Sequence, residues 1–122
     1  MKRVCAILIG MSLCACDGAK TTPRAIAGAD PGAGRAAMER VGCGACHQIP
    51  GVRWPQGKVG PSLEGFADRA LIAGQLPNQP QTLAAFIRNA PALSPNSGMP
   101  PMPVTEEEAR DIAAYLYTLD AR

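Results

Sequence analysis

Two cysteines and a histidine stand together in the run Cys43-Gly44-Ala45-Cys46-His47. Two thiols three positions apart, followed directly by an imidazole, are typical of covalent c-type haem attachment. Each thiol would add to one haem vinyl group to form a thioether, and the imidazole would reach the iron as proximal ligand. The spacing therefore predicts one covalent haem c, held by Cys43, Cys46 and His47.

The same residues also fit a redox dithiol or half of a zinc site. A zinc site wants four nitrogen or sulfur ligands, but His47 is the only histidine, and no second cysteine pair exists outside the N-terminal leader. A thioredoxin-like site wants strand and helix patterns around the cysteines, and these are missing. Both alternatives therefore fit poorly, and haem attachment is the favoured interpretation.

A low-spin haem that carries electrons needs a second axial ligand, usually Met or His. The candidates are Met99 and Met102, both in the Pro-rich stretch 97–104. A methionine can also simply fill a core, and we expect one of the two to do only that. Proline restricts the conformations of a loop, so this stretch suits the fixing of a thioether on an iron.

Four pieces of the chain, in order, resemble a small class I cytochrome c, over roughly residues 30–120. They are a helix running into Cys43, the element Gly-Pro-Ser-Leu at 60–63, the Met-Pro loop, and a helix from about 105 to 119. The resemblance implies an all-α cytochrome c fold, in which three to five short helices and loops wrap around one covalent haem.

The resemblance also implies site residues. In this family the Pro carbonyl of the Gly-Pro-x-Leu element accepts a hydrogen bond from the proximal imidazole, which makes Pro61 the expected partner of His47. The axial Met is followed by Pro and precedes the Glu-rich start of the last helix by a few residues. Met99 stands in that position before Thr105, and Met102 sits three residues too late.

The stretch 69–78 is similar to a subgroup that includes cytochrome domains fused to the second subunit of some haem-copper oxidases. Two features depart from that subgroup. No copper-site domain is expected within these 122 residues, and Phe86 stands where relatives often carry Trp.

The N-terminus predicts export. Lys2 and Arg3 form a short basic region, and residues 4–13 are an apolar stretch of signal-peptide length, too short for a typical transmembrane helix. The sequence Leu-Cys-Ala-Cys at 13–16 resembles the bacterial lipobox, which implies Cys16 as the lipidated first residue.

These features divide the chain into a lipoprotein-type signal peptide at 1–15, a flexible tether at 16–30 and a cytochrome domain at 31–122. Asp17 resembles a signal that retains lipoproteins in the inner membrane. We therefore expect a protein anchored by lipid on the periplasmic side of that membrane. An ordinary secretory signal and a soluble periplasmic protein remain the alternative.

Charge argues against nucleic acid as a partner. The chain has 12 basic and 10 acidic residues, and cleavage would remove Lys2 and Arg3 and leave ten of each. No catalytic constellation can be assembled either, since the haem claims the only histidine. We expect an electron-transfer protein and not an enzyme.

The expected function is that of a single-electron carrier in a periplasmic respiratory chain. Its partners would be redox proteins, such as a quinol-side cytochrome complex, a terminal oxidase or a periplasmic dehydrogenase. Two alternatives stay open. One is a haem c electron-entry or docking subunit of a larger oxidoreductase complex, and the other is a haem enzyme or gas sensor whose sixth ligand is displaceable.

The elements around these residues read as helices and loops without strands. Asp30 and the following proline predict the start of the first helix. Residues 81–89 predict a second helix ended by Pro91, and Thr105 with Glu108 predicts a capping box at the start of the last helix. Trp54 fits equally a hydrogen-bond donor to a haem propionate and simple packing.

Overall fold

The structure is a computed structural model that describes residues 24–120. The predicted signal peptide, Cys16 and the tether up to residue 23 lie outside the described residues. Helices α1 to α4 span Pro31–Val41, Pro80–Arg88, Ala90–Leu93 and Glu106–Leu116. Short 3-10 turns occur at Cys43–Ala45 and Phe66–Asp68, and a small hairpin pairs β1, Leu71–Ile72, with β2, Leu76–Pro77.

Helix α1 begins and ends where its sequence dictates. The side chain of Asp30 accepts a hydrogen bond of 2.7 Å from the backbone N–H of Gly32, and Pro31 occupies the first turn. The helix ends at Gly42, whose φ of 79° lies in the left-handed region that glycine adopts without steric cost. This sharp stop places Cys43 directly after the helix.

Helix α4 begins with the predicted capping box. The N–H of Glu108 donates to Thr105 Oγ1 at 3.1 Å, and the N–H of Thr105 donates to Glu108 Oε2 at 2.9 Å. The hydrogen bond from the Thr105 N–H, assisted by the nearby Arg40 guanidinium, lowers the pKa of Glu108. The helix ends at Leu116, earlier than the predicted 119, because the chain closes there in a turn capped by Tyr117.

Helices α1 and α4 cross at close range. A Cβ on Gly34 would lie 2.0 Å from the carbonyl oxygen of Asp111, so the crossing leaves no room for any side chain on Gly34. Buried residues of both helices, including Met38 and Ile112, belong to one hydrophobic core. The crossing fixes α1, and therefore the cysteine that follows it, against the rest of the domain.

The expectation of no strands was wrong. Residues 71–77 form an antiparallel hairpin in which Leu71 pairs with Pro77 and Ile72 with Leu76. The connection bends back through Ala73 and Gly74, with φ values of 50° and 73°. Strands of two residues are too short for an alternating pattern to reveal them.

Proline does not end the second helical region as predicted. Helix α2 ends at Arg88, and Pro91 lies in the first turn of α3. A proline in a first turn costs little because its missing N–H has no intrahelical partner there. The residue therefore starts a new short helix, whose cap is the side chain of Asn89.

The end of the predicted tether packs on the domain. Ile26 is partly buried against the core, and the Arg110 guanidinium donates to the Ala27 carbonyl at 2.8 Å. The N–H of Asp30 donates to Asp111 Oδ1 at 2.8 Å, and Arg24 lies over the Tyr117 ring. Contacts with the domain thus begin before residue 31. Within residues 24–120, no helix has both the length and the apolar character needed to cross a bilayer.

Candidate functional site

The two cysteines and the histidine lie on one tight turn after α1. The N–H groups of Cys46 and His47 both donate to the carbonyl of Cys43, at 3.2 and 3.1 Å. Cys43 is partly buried against the core, Cys46 is exposed, and the His47 ring is half-buried. Both cysteines are free thiols. The turn therefore brings together all three residues that the first motif predicted.

The environment of Cys43 argues against a redox dithiol. Burial raises the pKa of the Cys43 thiol, and the neighbouring Cys46 acts in the same direction, against a smaller lowering by a backbone hydrogen bond. Redox-active Cys-x-x-Cys sites instead lower the pKa of the attacking thiol. Cys43 is therefore a neutral thiol at neutral pH, unlike the nucleophile of such a site.

A second stretch of chain, residues 55–63, runs beside the turn and holds its backbone. The N–H groups of Gly57, Gly60 and Leu63 donate to the carbonyls of Gly44, Cys46 and Gln48, each at 2.8 Å. The contact is close enough to need glycine on both sides. A Cβ on Gly57 would lie 2.1 Å from the Ala45 carbonyl oxygen, and one on Gly44 would lie 2.5 Å from that of Pro55.

Pro61, on this same stretch, fixes the histidine ring. The Nδ1 atom of His47 lies 2.7 Å from the carbonyl oxygen of Pro61. A carbonyl oxygen can only accept, so Nδ1 carries a proton, and in the neutral imidazole Nε2 is then the nitrogen with the lone pair. Such a hydrogen bond orients a ligating imidazole and raises its basicity. His47 therefore presents Nε2 as a ready metal ligand.

Met99 and Met102 lie in the loop between α3 and α4. Met99 is half-buried beside the core, and its N–H donates only locally, to Ser97 Oγ at 3.2 Å. The backbone of Met102 is bound to the end of α2, because its N–H donates to the Arg88 carbonyl at 3.0 Å. The hydrogen bond to α2 anchors Met102 as part of the scaffold and leaves Met99 on the part of the loop before that anchor.

Large apolar side chains are exposed on the stretch that follows the turn. Trp54 is 84% exposed and Val59 is 87% exposed, so neither side chain lies in the protein core. Arg69, by contrast, has a structural role: its guanidinium donates to the carbonyls of Ser62 at 2.5 Å and Glu64 at 3.1 Å. The exposed apolar groups suit a large apolar ligand beside the turn.

A groove of about 530 Å³ lies elsewhere, between residues 25–27, α2 and the start of α4. Arg88 and Arg110 are among its lining residues, and none of the predicted site residues is. The candidate site residues therefore lie outside this groove.

Sequence reasoning missed the part played by glycines 44, 57 and 60. Glycines 57 and 60 indicated an irregular loop, and Gly60 also belonged to the Gly-Pro-Ser-Leu element of the family resemblance, but neither observation gave these glycines a steric role. The structure shows that each one is a point of close approach between the turn and the neighbouring stretch. One indication of this close approach was present in the sequence, which is that both segments contain glycine.

The donor set fits a haem c. Two thiols suit attachment to two vinyl groups, and an imidazole with a free Nε2 and a thioether are ligands that haem iron accepts. Within residues 24–120, no three His, Cys, Asp or Glu side chains are grouped so as to hold a metal ion by themselves. A macrocycle that brings its own four nitrogen ligands removes that need.

Comparison with known proteins agrees with this chemistry. Residues 31–120 match the Cytochrome c family. Over 79 residues the chain is 40% identical to cytochrome c-551 of Ectopseudomonas mendocina. This match covers 63% of this chain and 85% of that protein. Over 87 residues it is 34% identical to cytochrome c oxidase subunit 2 of Alkalihalophilus pseudofirmus, which covers 70% of this chain.

The second match spans only 25% of the oxidase subunit. The match confirms the predicted likeness to a cytochrome domain of such a subunit. The mainly helical cytochrome c fold is also confirmed, with four α-helices among residues 24–120. The match to the family over residues 31–120 also implies the cofactor of that family. The chain therefore belongs to the cytochrome c family, as a monohaem class I domain with one covalent haem c.

Proposed function

We propose that this cytochrome carries single electrons through a haem attached by Cys43 and Cys46 and ligated by His47 and Met99. The observation that carries the proposal is the hydrogen bond between His47 Nδ1 and the Pro61 carbonyl. It leaves Nε2 as the free nitrogen, on the same turn as both thiols. An imidazole held in this way supports a permanent ligand better than an acid–base group.

Each ligand has a separate task. The bound haem supplies an iron that gains or loses one electron. The carbonyl of Pro61 keeps the imidazole of His47 in one tautomer and one orientation, so that ligation is the same in both oxidation states. A thioether from Met99, once bound to that iron, would stabilise the reduced state relative to a second imidazole and so would raise the reduction potential. With His47 and Met99 both held by the haem iron, the protein would pass electrons without binding a small molecule.

An absorption spectrum tests this proposal against a haem enzyme or gas sensor. We expect the ferric holoprotein to show the weak band near the red end of the visible spectrum that sulfur ligation produces. We also expect the ferrous protein to leave added carbon monoxide unbound at neutral pH. A ferric spectrum without that band, together with rapid carbon monoxide binding, would mean an open or displaceable sixth position.

The proposal includes a place for the protein on the periplasmic side of the inner membrane, held by a lipid on Cys16. Haem c attachment and the predicted export signal support it, since both point to the same compartment. A multiply acylated cysteine anchors stably, whereas a single acyl chain binds reversibly. Residues 17–23 would then link the anchor to the first residue that packs on the domain.

Cys16→Ala is the matching prediction. We expect the variant to lack lipid and to be recovered as an unprocessed precursor or in the soluble fraction, because lipobox cleavage requires the modified cysteine. Mass spectrometry of the mature N-terminus makes the comparison, with Cys14→Ala as the matched control that should stay lipidated. A mature wild-type protein that starts at another residue, without acyl groups, would refute the anchor.

A second candidate function is electron entry into a larger oxidoreductase complex. The similarity to an oxidase second subunit favours it, since the matched stretch is a quarter of a much longer chain there. Mild detergent extraction followed by gel filtration separates the two. A carrier elutes at the size of one small domain with its detergent micelle, whereas a docked subunit elutes with the haem absorbance in a larger complex that contains other chains.

A further inference from the structure

Gly60 lies against the ring of His47. A Cβ built on Gly60 would lie 2.4 Å from Cε1, 2.8 Å from Nδ1 and 3.0 Å from Nε2 of that ring. The first two distances are shorter than any normal carbon contact, and the third is at the lower edge of such contacts. The hydrogen atom of glycine is therefore the largest group that this position accepts while the ring stays in place.

A left-handed backbone is not the reason for glycine here. The described glycines with positive φ are 28, 42, 51, 65 and 74, and Gly60 is not among them. The hydrogen bond from the residue 60 N–H to the Cys46 carbonyl uses backbone atoms alone, so it does not itself require glycine. The group that a side chain at residue 60 would meet is the imidazole of His47.

We propose that Gly60 is a positioning residue for the haem ligand His47. Gly60 and Pro61 act on the ring together: the Pro61 carbonyl draws Nδ1 to 2.7 Å, and Gly60 leaves the space into which the ring must lie for that hydrogen bond to form. This inference rests on the proposed function, in which Nε2 of His47 ligates the iron.

The consequence of a side chain at residue 60 follows from the three distances. A methyl group would push Cε1 and Nδ1 away, which lengthens the hydrogen bond to Pro61 and lowers the basicity of the ring. It would also crowd Nε2, the nitrogen that faces the metal. Both effects weaken donation to the ferric iron more than to the ferrous iron, so the reduction potential should rise.

Gly60→Ala tests the proposal, with Gly34→Ala as the control. Both variants place the same methyl group at a site of close contact, but Gly34 faces the Asp111 backbone at the crossing of α1 and α4. At the midpoint potential of the wild-type protein, we expect the ratio of reduced to oxidised Gly60→Ala to be at least three. At about 59 mV per tenfold change, this is a rise of about 28 mV.

Gly34→Ala should instead lower the thermal unfolding midpoint and shift the potential far less than Gly60→Ala does, because Gly34 does not contact the His47 ring. The His47 ring resonances of the reduced protein should move in Gly60→Ala and stay in place in the control. Equal potential shifts in both variants would mean that Gly60 acts only through stability, and no shift in Gly60→Ala would also overturn the proposal.

A measurement on the unaltered holoprotein decides the matter if Gly60→Ala gives no holoprotein. The reduced protein is expected to show nuclear Overhauser contacts between the α protons of Gly60 and the ring of His47, and their absence would overturn the proposal. The ring protons of His47 should also carry the large upfield shift of an iron-bound imidazole. If that shift is missing while the contacts are present, the ligand role fails and the contact with Gly60 stands.

Discussion

Cys43→Ser and Cys46→Ser are each expected to leave little stable holoprotein. A hydroxyl cannot form the thioether, so each variant loses one of its two covalent links to the haem. The domain has about 90 residues, a size at which a protein core alone supplies little stability and an enclosed cofactor becomes a large part of it. Total stabilities of folded domains are only about 5–15 kcal/mol, so a loose haem threatens the whole fold.

Haem content per protein, measured on the purified chain as its alkaline pyridine complex, gives the readout together with the intact mass. Ala45→Ser is the matched control: Ala45 is exposed on the same turn, and the change adds a hydroxyl without removing a thiol. We expect normal haem content in this control and a severe loss in both cysteine variants. Full accumulation of haem with two thioethers in either cysteine variant would contradict the attachment motif.

Much of the site was predictable because its chemistry depends on residue type and local spacing. The turn with Cys43, Cys46 and His47 is five residues long, and the N–H groups of Cys46 and His47 are bound within it, to the Cys43 carbonyl. The capping box of Thr105 and Glu108 is local in the same way, and both of its hydrogen bonds are present. Patterns of this kind need no knowledge of distant contacts.

The features that sequence reasoning missed depend on which segments become neighbours. Gly60 was recognised as part of the Gly-Pro-Ser-Leu element, but its contact with an imidazole thirteen positions earlier in the chain appears only in the fold. Residues 24–30 have the composition of a linker, yet Ile26 packs on the core and Arg110 reaches back to hold the chain. Composition indicates only the conformation that a segment favours by itself. For Gly60 and for residues 24–30, contacts with distant segments determine the structure.

The hairpin at 71–77 illustrates a third reason. Its strands have two residues each, so no periodicity could distinguish them from a loop. The hairpin is fixed instead by the polar groups around it. Asn78, which follows it, is buried and accepts a hydrogen bond of 3.0 Å from the hydroxyl of Tyr117 on the last segment of the chain. A buried amide is stable only when such partners exist, and they are far apart in sequence.

Met99→Leu is expected to abolish the sulfur-to-iron signature and to lower the reduction potential. Leucine fills nearly the same volume but has no atom that can donate to iron, so the substitution removes the bond while disturbing the packing little. Axial ligands set haem potentials over a span of about 0.8 V, and we expect a fall of at least roughly 0.1 V. The weak ferric band near the red end of the spectrum should disappear at the same time.

Met102→Leu is the matched control, since it makes the same substitution three positions later in the same loop. The N–H of Met102 donates to the Arg88 carbonyl, and this bond does not depend on the side chain, so the loop should keep its course. We expect the potential and the ferric band to stay nearly unchanged. The reduced protein offers the most direct readout, because the methyl group of an iron-bound methionine is shifted strongly upfield. If that resonance survives Met99→Leu and vanishes in Met102→Leu, the ligand is Met102, and the hydrogen bond to α2 would then anchor the ligand itself instead of the scaffold beside it.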